Sequence, residues 1–93
     1  MQIQHKEGGN HGMFFIEEDG DIIAEIVYAS GGDNIIIIEH TEVDDRLRGH
    51  NIGYELVHKT VEHARMHGLK ISPVCPFASS VFEKKPDFKD VLV

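Results

Sequence analysis

The stretch Ile35-Ile36-Ile37-Ile38-Glu39-His40-Thr41-Glu42-Val43, followed by Asp44-Asp45-Arg46-Leu47-Arg48-Gly49-His50-Asn51-Ile52-Gly53, decides the fold. Residues 35–41 are β-branched almost throughout and show no polar alternation, which describes a central strand buried on both faces. Residues 42–51 form a polar loop. From Ile52 to about His67, the residues Ile52, Leu56, Val57, Thr60, Val61 and Ala64 fall on one helical stripe, and Glu55, His58, Lys59, Glu62 and Arg65 face outward. Gly68 is the expected stop.

Downstream, residues 69–74 read as a short strand and residues 77–85 as a second helix that Pro86 ends. Strand, helix and strand make a crossover unit, so its two strands are expected to be parallel. Upstream, residues 13–18 and 21–29 flank Asp19-Gly20, a hairpin signal. Ile22, Ala24, Ile26 and Tyr28 share one face of the second of these strands, and Ile23, Glu25, Val27 and Ala29 the other; both faces are expected to be covered. Residues 1–12 read as a short strand and a mobile loop. The expectation is one α+β domain, residues 1–93: an antiparallel meander leading into one parallel crossover, in the order β-β-β-β-α-β-α with the first strand short.

At 93 residues the chain supports a single core, since folding at this size buries roughly 60–65% of the unfolded surface. Nine basic and sixteen acidic side chains leave a formal charge of −7. Such a chain gains nothing from a nucleic-acid backbone or an anionic membrane, so neither is an expected partner. The longest apolar run is too short to cross a bilayer, and one cysteine closes no internal disulfide. The reading is a cytoplasmic monomer.

Arg48-Gly49-His50-Asn51-Ile52-Gly53 places turn-tolerant residues where the chain leaves a strand and opens a helix. Free N–H groups and the positive helix end make an anion site there, or else the glycines only serve a turn. Cys75 precedes Pro76, which suits the first helical position, so Cys75 is the expected N-cap of the second helix. A helix start favours thiolate, and His40 lies near the same sheet edge as a candidate base. A small buried hydrophobe and a redox thiol are the other readings of Cys75. Glu39 is either a water-bridged base or a solvated strand end. His63 and His67 stand one helical turn apart, but the sequence shows no acidic or cysteine partner for them, and no metal is expected.

Val43, Arg48 to Gly53 and Leu56-Val57 resemble the acetyl-CoA pyrophosphate loop of the GCN5-related N-acetyltransferases, with Asn51 where that family usually has glycine. Ala78, Phe82-Glu83-Lys84 and Phe88 resemble a later family segment. Glu39 to Val43 and Pro73-Val74-Cys75-Pro76-Phe77 are similar to the small stand-alone members. The resemblance runs from Phe14 to Leu92. It implies acetyl-CoA as ligand, with the pantetheine arm between the strands ending at Val43 and Val74. Cofactor contacts would come from Val43, Arg48, Gly49, His50, Asn51, Ile52, Gly53 and Phe77. It implies transfer of acetyl to an acceptor the sequence does not name, or slow thioester hydrolysis; Cys75 and His40, read from the residues themselves, are the catalytic candidates. The family's usual tyrosine acid is Phe82 here, which leaves open a non-catalytic sensor or adaptor that only binds acetyl-CoA.

Overall fold

The computed structural model describes residues 2–93; Met1, part of the expected opening segment, lies outside the described residues. Five strands form one sheet in the order β1-β2-β3-β4-β5. They are β1 (Gln4–Gly8), β2 (His11–Glu18), β3 (Asp21–Ser30), β4 (Ile35–Val43) and β5 (Lys70–Pro73). The first four are antiparallel and β4–β5 is parallel, as the meander-plus-crossover reading requires. Helix α1 (Ile52–His67) links β4 to β5; α2 (Pro76–Lys84) and a 3-10 segment, Pro86–Val91, complete the chain.

The β2–β3 turn has positive φ at Asp19 and Gly20, the backbone that an Asp-Gly hairpin needs. The expected mobile loop before Met13 is instead a second tight hairpin. Gly8 pairs with His11 across Gly9-Asn10, and strand pairing begins at once. Gly9 supplies the positive φ that lets so short a turn close.

One face of the sheet carries the core. Ile26, Ile38, Leu56, Val57, Val61 and Ile71 are fully buried there, between the sheet and α1. Burying side chains of this size stabilises by about 1.5–3 kcal/mol each. The expectation that the strands at 21–29 and 35–41 are covered on both faces is corrected. Ile36 and Ile38 are buried while Ile35 and Ile37 are half-buried, because both helices occupy the same side. On the other side Phe15 is sheltered, with the Lys6 ammonium 5.2 Å from its ring centre. In β3 the register slips opposite Ile16–Glu17, which buries Ile23 and leaves Ile22 exposed.

α1 ends at Gly68 in the left-handed conformation, its N–H bonded to the Ala64 carbonyl. The C-terminus returns to the sheet through a parallel bridge between Leu92 and Ile71.

Candidate functional site

β4 and β5 pair only from Ile35–Lys70 to Ile38–Pro73. β4 then continues to Val43, while β5 gives way to the turn into α2. The last tie is the Ile38 carbonyl, which accepts from the N–H of Val74 (3.1 Å) and of Cys75 (2.9 Å). Beyond it the two strands part, and the β4 edge past Ile38 has no strand beside it. Proline drives the parting: Pro73 and Pro76 cannot donate a ladder bond, and Pro76 starts α2.

The fork opens toward the N-terminus of α1. Glu55 donates the first intrahelical bond, to the Asn51 carbonyl at 3.1 Å. The N–H groups of Ile52, Gly53 and Tyr54 are therefore surplus, and no side chain caps them. Asn51 has φ 60° and Gly49 φ 85°. These left-handed residues turn the loop so that its N–H groups face outward, and Asn is the non-glycine residue best suited to that conformation. Gly53 serves closeness: a Cβ there would stand 2.6 Å from the tip of the Phe77 ring.

A cleft of about 350 Å³ lies between the fork and this helix start, a size within the range of small-ligand sites. Val43, Arg48, Gly49, Asn51, Ile52, Gly53 and Phe77 line it together. His50, expected with them, is exposed and outside the lining. Thr41, Leu47 and Tyr54 also line the cleft; their apolar or strand positions carried no signal in the sequence. The Arg48 guanidinium donates to Asp45 Oδ1 at 2.7 Å, both groups being highly exposed. Such a pair is weak in water, so it costs little for Arg48 to turn to another anion.

Cys75 is the N-cap residue of α2 and 6% exposed. Its thiol donates to the Thr41 hydroxyl, Sγ to Oγ1 3.5 Å. Burial by itself would push the thiol up. The N–H of Ala78, the Thr41 hydroxyl and the N–H of Phe77 outweigh it and hold the thiol below its ordinary range. The sulfur closes no full cap bond with the helix, so the N–H groups act on it as oriented dipoles.

The structure does not bring His40 to Cys75. β4 is bulged: Ile38 pairs with Tyr28 and His40 with Val27, which leaves Glu39 unmatched. That extra residue turns every later side chain to the opposite face. Thr41, opposite the fully buried Ile26, takes the core face beside Cys75. His40 takes the open face, 3.6 Å from Glu25 and 3.4 Å from Glu42. Glu39 pairs with His11 at 3.4 Å. Phe82 is 3% exposed and packs edge-on against Phe88, with ring centres 6.0 Å apart, so no acid replaces the family's tyrosine at that position. His63 does acquire an acidic neighbour that the sequence did not show, Glu7 on the distant strand β1.

A sheet forked between β4 and β5, with an uncapped helix start at its mouth, frames the cleft of this α+β domain; the Cys75 thiol lies against Thr41 beside the fork and outside the cleft lining. The chain belongs to the GCN5-related N-acetyltransferase family, whose sequence profile matches residues 13–91. The solution structure of a GCN5-like protein from Staphylococcus aureus is 38% identical, with TM-score 0.74, over 97% of this chain and 87% of that one. Glucosamine-6-phosphate N-acetyltransferase from Arabidopsis thaliana is 27% identical, with TM-score 0.61, over 81% of this chain and 57% of the enzyme. A streptothricin acetyltransferase from Bacillus anthracis, in complex with acetyl coenzyme A, shares the fold at 21% identity and TM-score 0.61, over 83% of this chain and 46% of that one. The chain thus spans about half the length of these two enzymes. No curated protein sequence matches significantly. No helix among the described residues is long and apolar enough to cross a membrane.

Proposed function

We propose that the protein binds acetyl-CoA in the cleft and uses Cys75 to accept the acetyl group. The pyrophosphate would sit on the N–H groups of Asn51 to Tyr54, with Arg48 swinging from Asp45 to meet it. The pantetheine arm would enter the fork and hydrogen-bond the free β4 edge as a missing strand would. This leads the thioester to Cys75. The observation that carries the reading is that the fork's last hydrogen bond and the thiol belong to the same residue, Cys75.

In the first step the Cys75 thiolate attacks the thioester carbonyl. The bond from carbonyl to CoA sulfur breaks, CoA leaves as thiolate, and it takes up the proton that Cys75 released. In the second, an acceptor amine or water attacks S-acetyl-Cys75 from the open face of the sheet and returns the thiolate. His40, on that face and half exposed, takes the acceptor's proton, with the Glu25 and Glu42 carboxylates beside its ring to orient it. His40 thus serves the second step alone.

The test is intact-protein mass after incubation with acetyl-CoA, beside release of free CoA thiol. An added acetyl group that Cys75→Ala abolishes supports the mechanism. Binding without adduct or release supports a second reading, a sensor or adaptor that only holds acetyl-CoA, which the buried Phe82 favours.

A further inference from the structure

His5 and Glu7 lie two residues apart on β1, so they share a face of that edge strand, and the face looks toward the second half of α1. There they meet His63. One ligand-type atom from each of the three lies within 4.8 Å of the others. His67 is one turn further along α1, its ring centre 4.5 Å from that of His63. We propose that His5, Glu7 and His63, with His67 as a fourth ligand, form a binding site for zinc or a similar late first-row divalent cation, which clamps β1 onto α1.

The donor set carries the choice of metal. Imidazoles with one carboxylate suit zinc and its neighbours, whereas magnesium and calcium take oxygen ligands. Ligands held at about 2.0–2.2 Å on a tetrahedral zinc stand about 3.4 Å apart. Three groups now within 4.8 Å of one another reach that spacing with up to about 1.4 Å of approach, within reach of the exposed His5 and Glu7 side chains.

The surroundings are arranged as a metal site's outer partners are. The Tyr28 hydroxyl donates to Glu7 Oε2 at 3.1 Å and lies 2.7 Å from His5 Nε2. With its proton given to Glu7, that hydroxyl accepts from His5. This holds His5 as the Nε2–H tautomer and leaves Nδ1 with a free lone pair. Phe14 stacks on the His5 ring at 4.2 Å and sets its plane. Two of the ligands, His5 and Glu7, lie before residue 13, outside the segment that defines the family. The site is also remote from the cleft: from Gly53 to His63 is about 15 Å along the helix. Its effect is on the fold, where β1 is an edge strand whose one sheet neighbour is β2.

The test titrates zinc chloride into the full chain, free of any polyhistidine tag, by calorimetry and by thermal melting with and without chelator. One equivalent bound with micromolar or tighter affinity is expected, with a melting rise of about 5 °C or more at saturation. Glu7→Gln and His63→Gln should each weaken binding at least about tenfold, while His58→Gln, on another face of α1, leaves it unchanged. Glu7 is exposed, so its variant folds even if His63→Gln does not. Millimolar or absent binding overturns the site, as does an affinity that Glu7→Gln leaves unaltered.

Discussion

The thiol of Cys75 and the hydroxyl of Thr41 face each other across the mouth of the fork, 3.5 Å apart, one on each of the diverging chain segments. Thr41 helps to hold the thiol below its ordinary range, together with the N–H groups of Ala78 and Phe77. Alkylation of Cys75 rises with pH as thiol becomes thiolate, so its midpoint should lie below that of a free cysteine. Thr41→Val removes one of the stabilising groups and should move the midpoint up, slowing alkylation several-fold at any pH below it. A midpoint that does not move would show that the helix N–H groups act alone.

Gly53→Ala should separate cleft from fold. The added Cβ would meet the Phe77 ring, which is 42% exposed and free to swing outward. Alanine in a helix gains up to about 1 kcal/mol over glycine, so stability should change by less than about 1 kcal/mol either way. Acetyl-CoA affinity should nonetheless fall several-fold, because the displaced ring intrudes on the cleft. Phe77→Ala should restore part of it, a non-additivity that calorimetry on the four proteins of the cycle would read.

Among the described residues Thr60 is the one polar residue buried in the core, and its hydroxyl donates to the Leu56 carbonyl at 3.0 Å. That carbonyl also accepts the ordinary helical bond, so Thr60→Val orphans nothing and should alter stability by less than about 1 kcal/mol. Thr60→Ser keeps the bond but removes a buried methyl, and should cost about 1 kcal/mol. Denaturant unfolding of the two variants checks the order.

Arg65 ties α1 to the C-terminal segment, with two bonds of 2.9 Å to the Asp90 carboxylate and one of 2.7 Å to the Asp87 carbonyl. The guanidinium holds the Asp90 carboxyl below the usual carboxylate range. The folded state therefore keeps Asp90 ionised at pH values where the unfolded chain binds a proton. Its stabilisation is whole above the unfolded value and is lost as pH falls through the folded one. Asp90→Asn should flatten the melting temperature against pH in that acidic window, lying below the wild type at neutrality and converging with it at the acid end. An unchanged acid slope would contradict the pairing.

The elements were legible where periodicity spoke: the α1 stripe, the Asp19-Gly20 hairpin and the Gly68 stop all stand where the residues place them. The loop from Arg48 to Gly53 was legible because glycine and asparagine mark backbone geometry directly. What escaped was pairing at a distance. Unbroken alternation from Ile36 and Ile38 puts His40 on the core face near Cys75, but a bulge depends on the partner strand, and Glu39 bears no mark of being the extra residue. The same holds for Glu7, whose approach to His63 exists only once β1 is laid beside β2.

Backbone chemical-shift mapping with acetyl-CoA, beside free CoA, tests the central claim most directly. The account predicts that both ligands shift the amides of Gly49 to Tyr54, and that only acetyl-CoA strongly shifts Thr41 and Cys75. A folded protein whose amides move elsewhere, or whose Cys75 answers equally to both ligands, would contradict it.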